Sequence, residues 1–135
     1  MNKNDNIKEK FKQALISTAK VISGDYMQNS NNKNNSSKSF NFFELDNLNN
    51  KNDFIKFRAE SDSQALKKKF SNKKIYQKNL PNNSSYKTLY DISEKIRYEI
   101  LGSKMLKGIS KNLKDNYSNK ITLKRKDQLK SKDDV

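Results

Sequence analysis

Leu89, Ile92, Ile96 and Ile100 recur at intervals of three and four residues. That spacing lays all four along one stripe of an α-helix, so it predicts a helix over residues 84–101. Tyr86, Tyr90 and Leu101 border the stripe, and Gly102 is expected to end or bend the helix. Three other segments repeat the pattern. In residues 5–22 the stripe is Ile7, Phe11, Leu15, Thr18 and Ile22, widened by Ala14, Ala19 and Val21. Asp5 or Asn6 can cap its start, Glu9 stands three residues after Asn6 as in a capping box, and Gly24 supplies a left-handed stop. In residues 53–70, with Asp53 as the expected cap, Phe54, Phe57, Ser61, Ala65 and Lys68 share a face beside Leu66 and Phe70. The small Ser61 and Ala65 would let another helix come close. Residues 103–117 resume the period through Met105 or Leu106, Ile109, Leu113 and Tyr117.

Between these stripes the pattern breaks. Residues 71–83 read as a connection anchored by Ile75, Tyr76 and Leu80. Pro81 drives Leu80 out of the helical region and opens a turn with Asn82 and Asn83. Residues 25–52 form a polar Asn/Ser-rich insertion, in which residues 28–38 offer no core-forming run and are expected to be mobile. Phe40 and Phe42 alternate with other residues; they form a short strand pair near residues 39–45 or tuck their rings against the helices. Residues 119–135 are a polar basic tail, too poor in apolar residues to make a stripe and read as frayed. The expected fold is therefore mainly α: a small helical domain of about four helices over residues 1–118, carrying the insertion, followed by the tail.

Composition limits the size of the core. Only 32% of the 135 residues are hydrophobic, and mean hydropathy is -1.13, so the stripes must cover one another. No run approaches the ~20 apolar positions of a membrane helix, and no signal-like apolar run follows Met1. A cytoplasmic location with no membrane partner is the default. The chain has no Cys and no His, which removes disulfides, thiolate chemistry, the usual zinc ligands and the commonest general base. The net charge of +14 invites nucleic-acid binding. However, only Arg58, Arg97 and Arg125 are arginines, leaving 29 − 3 = 26 lysines, whereas nucleic-acid sites favour the guanidinium fork. Lys and Asn both have A-rich codons, so base bias explains the surplus without a ligand. A basic helical nucleic-acid-binding protein is kept as the alternative reading.

Three constellations could carry chemistry. Arg58, Glu60, Asp62, Glu94, Arg97 and Glu99 place opposite charges three and four residues apart on two helices. Facing inward, they would make an interhelical network of guanidinium forks and carboxylates. A di-metal site would need a Glu-x-x-His pair, which this chain lacks, so ion pairing is the favoured role. Arg97 is expected to hold Glu94 and a carboxylate of the second helix, with Lys95 in solvent. Gly102-Ser103-Lys104-Met105-Leu106-Lys107-Gly108 is mis-spaced for a phosphate loop and follows no strand; a helix bend with close backbone approach is expected. The rings of Phe54, Phe57, Phe70, Tyr76, Tyr86, Tyr90 and Tyr98 fall mostly on apolar stripes, where packing accounts for them. No catalytic, cofactor-binding or metal-ligating set is predicted.

Two blocks stand apart from the Lys/Asn background: Arg58-Ala59-Glu60-Ser61-Asp62-Ser63-Gln64-Ala65-Leu66, and Glu94-x-x-Arg97-x-Glu99-x-x-Gly102-x-x-Met105-x-x-Gly108-x-x-x-Asn112-Leu113. With Phe11-Lys12, Leu15, Thr18, Ile22 and Pro81, they resemble the N-terminal region of the aerobic cobaltochelatase T subunit (CobT) family over about residues 9–118. The resemblance implies a subunit of the ATP-dependent cobaltochelatase, which inserts cobalt into hydrogenobyrinic acid a,c-diamide in cobalamin synthesis. It implies partners, an AAA+ ATPase ring and a large tetrapyrrole-holding subunit. It also implies that ATP, magnesium and cobalt are used by the complex rather than by this region. The family carries histidines shortly after the first block, where this chain has Phe70 and Tyr76. Its C-terminal adhesion-site domain has no counterpart here, and no Asp-x-Ser-x-Ser motif occurs. The expectation is therefore a fragment or stand-alone N-terminal module, non-catalytic, docking to the ring through the Arg58–Leu66 and Gly102–Leu113 surfaces.

Overall fold

A computed structural model describes residues 3–24 and 48–133 of the chain. The described residues form five helices: α1 (Lys3–Ser23), α2 (Lys51–Phe70), α3 (Lys73–Asn79), α4 (Ser84–Met105) and α5 (Lys107–Asp133). No strand occurs among them, so the mainly helical expectation holds. The strand pair near residues 39–45 and the mobile stretch 28–38 lie outside the described residues.

Local sequence explains most of the helix ends. Gly24, at φ 82°, takes the left-handed turn that stops α1, and its N–H reaches the Lys20 carbonyl at 3.1 Å. Asp5 and Asn6 lie inside α1 rather than at its cap. α2 starts two residues earlier than expected. Asn50 is its cap, and Asp53 is the reciprocal partner that closes a capping box. The Asn50 side chain accepts from the Asp53 N–H at 3.0 Å, and the Asp53 carboxylate accepts from the Asn50 N–H at 3.1 Å. Asn72 and Asn83 cap α3 and α4 in the same way, each side-chain oxygen accepting two backbone N–H groups. Leu80 is extended before Pro81, as the ring of a following proline requires.

α2 is the central helix: it packs against α1, α4 and α5, and α4 packs on α5. Its middle explains why. Ala59, Ser61, Asp62, Ser63, Ala65 and Leu66 are all buried, and five of these six side chains are small enough to admit neighbours on several sides. The main core joins Ala19 and Ile22 of α1, Ala59, Ala65 and Leu66 of α2, Tyr98 of α4, and Ile109 and Leu113 of α5, with Phe70 against it. A second cluster holds Leu15, Leu48, Phe11, Phe54 and Phe57. Within it, the Phe11 and Phe54 rings meet edge-on at 4.8 Å.

Four expectations are corrected. The 71–83 connection contains α3, whose Tyr76 ring lies 5.4 Å from Tyr90. α4 runs through Gly102, and the break comes at Leu106, whose N–H still reaches the Gly102 carbonyl at 3.0 Å. Residues 119–133, read as frayed, continue α5. Most consequentially, the Leu89/Ile92/Ile96/Ile100 stripe is not core: Leu89 is 61% exposed and Ile96 50%. α4 instead turns Tyr98, Glu99 and Gly102 inward. No helix of the described residues is long and apolar enough to cross a membrane.

Candidate functional site

Two polar clusters hold α4 against the rest, and between them they use most of the residues singled out in the sequence. The first sits at the buried junction of α2, α4 and α5. The Glu99 carboxylate accepts from Ser63 Oγ at 2.6 Å on one oxygen and from Tyr117 Oη at 2.6 Å on the other. Lys95 Nζ stands 3.8 Å from the same carboxylate. One carboxylate thereby ties three helices together. Burial, then the hydrogen bond to Glu99, pushes the Tyr117 hydroxyl well above its ordinary range. Burial likewise raises the Tyr98 hydroxyl.

In the same layer Asp62 is buried, and its Oδ2 accepts from Asn112 Nδ2 at 2.7 Å. Burial pushes the Asp62 carboxyl above its usual range, partly offset by the Asn112 hydrogen bond and the Arg58 charge. Arg58 itself lies over the Phe11 ring of α1, 5.7 Å from its centroid. Asn116 is buried beside this layer on α5. Ser61 Oγ is buried without a hydrogen-bond partner among the described residues.

The second cluster caps the C-terminus of α2. Arg97 donates from Nε and Nη2 to the two Glu94 oxygens at 2.8 and 2.7 Å, and from Nη2 to the Phe70 carbonyl at 2.7 Å. Ser71 Oγ donates to Glu94 at 2.8 Å. Phe70 is the last residue of α2, where carbonyls lack intrahelical donors, so Arg97 supplies one. The Arg97 hydrogen bonds pull the Glu94 carboxyl down to about 2 and raise the guanidinium further.

The single charged network expected from the sequence is thus two clusters. Arg97 reaches the second helix through a carbonyl rather than a carboxylate, and 46% of its side chain is exposed. Asp62 and Glu99 are satisfied by amide and hydroxyl donors. Lys95 is half-buried beside Glu99 instead of free in solvent. Glu60 is half-buried and joins neither cluster. Gly102 is where α2 approaches: a Cβ there would lie 2.3 Å from Leu66 Cδ2. Gly108 meets nothing within 4 Å and is exposed, as is Met105 at the end of α4. Among the described residues no group of three or more carboxylates gathers as a metal cage. The Arg58–Leu66 and Gly102–Leu113 segments, expected to face a partner, meet where Leu66 faces Gly102 and Asp62 accepts from Asn112, while residues 104–108 of the second segment are exposed.

Ser63, Ser71, Asn116 and the Tyr117 hydroxyl were not singled out as polar partners. Tyr117 falls on an apolar stripe, and local spacing offers no sign of an acceptor 18 residues away. Ser63 stands directly beside Asp62 in a run of small polar residues, the one signal that could have marked it.

The fold and its clusters define a mainly helical scaffold with a polar seam at its centre. A family model described as "Cobalamin biosynthesis protein CobT" matches residues 5–135. The chain belongs to the CobT family and so to the proteins of cobalamin biosynthesis. No curated protein and no solved structure matches it.

Proposed function

We propose that the chain is a non-catalytic interaction module of an ATP-dependent cobaltochelatase, docking to the AAA+ ring and the large subunit while those subunits carry the ATP and metal chemistry. Family membership over residues 5–135 carries the reading. The use of the motif residues supports it. Arg97, Glu99, Gly102 and Asn112 serve as internal braces, which suits a scaffold that presents its outer faces to other chains.

The test is co-purification of the chain with the ring subunit and the large subunit, expressed together. A stable complex with the ring is the expected result. The chain alone should neither hydrolyse ATP nor insert cobalt into a corrinoid precursor. Cobalt insertion by the purified chain would overturn the reading, as would failure to associate with either subunit.

A further inference from the structure

The most apolar side of α4 is the side turned to water. Leu89, Ile92, Ile96 and Ile100 are each at least half exposed, on one continuous stripe of the helix. On α5, Tyr117 is bonded to Glu99, in the same turn as Ile96 and Ile100. Ile121, one turn further along α5, is 53% exposed. Contiguous apolar surface of this kind marks an interaction site, whereas scattered single residues do not.

The charges around the stripe select the occupant. α4 carries three carboxylates, and each is engaged within the chain: Asp91 accepts from the Tyr76 hydroxyl, Glu94 is held by Arg97 and Ser71, and Glu99 by Ser63 and Tyr117. Asp91 is exposed beside Ile92 at one end of the stripe, whereas the charges exposed around Ile96 and Ile100 are positive. Lys95, half-buried at 3.8 Å from Glu99, still exposes 45% of its side chain; Lys104, exposed, follows Ile100 by one turn, and Lys120, exposed, lies over the Tyr117 ring at 6.0 Å. A second copy of the chain would bring the same lysines to the seam, on molecules each carrying +14.

We propose that the outer face of α4, rimmed by Lys95, Lys104 and Lys120, is the docking surface for an acidic amphipathic helix of another protein. Its apolar side would lie along Leu89–Ile100 and its carboxylates against the lysines, the helix-in-groove mode of recognition. This deepens the module reading above, on which it rests for the existence of a partner, by fixing where the partner lies and what its surface carries.

The test uses two labelled synthetic helical peptides with the same leucine stripe, one with Glu and one with Lys at every flanking position. Each is titrated into the full chain and followed by fluorescence anisotropy. The Glu peptide should bind at least about tenfold more tightly than the Lys peptide, as expected when two or three exposed ion pairs change sign. Its binding should weaken with salt and be lost in Ile96→Asp. Because Ile96 is half exposed, that variant should keep the wild-type circular dichroism; Ile92→Asp serves as a second variant of the same kind. Equal affinity for the two peptides, no binding of either, or binding that survives both substitutions would overturn the proposal. So would self-association in sedimentation that Ile96→Asp abolishes, since a second copy would then be the occupant. The ring co-purification separates this idea from the broader one. A complex that persists with Ile96→Asp leaves the chelatase reading standing and removes this surface. Peptide binding without any ring complex does the reverse.

Discussion

Gly102 and Gly108 look alike in the sequence, both bracketing a lysine-rich bend, yet their surroundings differ. At Gly102 a methyl group would come within 2.4 Å of both methyls of Leu66, which is wholly buried and has nowhere to withdraw. At Gly108 the space is open and the backbone is helical. Gly102→Ala should therefore cost about 1–3 kcal/mol through overpacking. Gly108→Ala should add about 0.5–1 kcal/mol by removing backbone freedom. Thermal unfolding of the two variants checks both signs, and equal melting temperatures would refute the close approach. Asp62 poses a similar contrast. Asn112→Leu strands its buried carboxylate and should cost about 1–3 kcal/mol, whereas Asp62→Asn keeps an acceptor for Asn112 and removes the charge. Because burial raises the folded-state pKa of Asp62 above its unfolded value, ionising it destabilises the fold at neutral pH, and the penalty fades as pH falls through the raised value. Asp62→Asn should therefore match or exceed the wild type at pH 7, and any advantage should shrink in acid. A melting temperature well below wild type at pH 7 would show that the ionised form is needed.

At the scale of elements, the Glu94–Arg97 pair decides how α4 meets the end of α2. Its pH signature has the opposite sign to that of Asp62. Glu94 is held down to about 2 in the folded chain, against about 4.3 for an unperturbed glutamate. Its stabilisation is complete above the unfolded value and disappears as pH falls toward 2. Glu94→Gln should lower the melting temperature at pH 7 and approach the wild type near pH 2; a gap independent of pH would remove the pair from the account. The pair also shows what the sequence could convey. The short-range link between Glu94 and Arg97, three residues apart, was legible, as were the stop at Gly24, the turn at Pro81 and the helical class. The inward face of α4 was not. Periodicity ranks faces by apolar content and so favours Leu89–Ile100. The actual inward face is chosen by what α2 offers: a hydroxyl at Ser63 for Glu99, a carbonyl at Phe70 for Arg97 and a leucine at Leu66 that only a glycine can meet. These partners lie 27 to 36 residues away, beyond the reach of any local pattern. Helix α1 erred less because its inward residues, Phe11, Leu15, Ala19 and Ile22, lie within a turn's drift of the predicted stripe.

Over the whole molecule, stability is concentrated where α2 is surrounded, and α5 runs past that region. Its buried side chains among the described residues are Ile109, Leu113 and Asn116. Beyond these, the Asn119 amide reaches Asn52 at 3.3 Å, and every described side chain from Ile121 to Leu129 is exposed. Among the described residues this segment buries no side chain, so it depends mainly on its own propensity, and isolated helices shorter than ~12–15 residues are marginal in water. The outer part of α5 is therefore helix supported chiefly from its base. Its lysines at 120, 124 and 126, with Arg125, add mutual repulsion along it. Amide exchange should be fast over 121–133 and slowest over 59–66, where the backbone is enclosed by three other helices. Truncation after Lys120 should lower the helical circular dichroism signal roughly in proportion to the residues removed. The melting temperature should shift by no more than about 2 °C, the effect of about 0.5 kcal/mol or less on a domain of this size. A large loss of stability would mean that outer α5 packs against something that its exposure does not reveal. Slow exchange there in the full chain would point the same way.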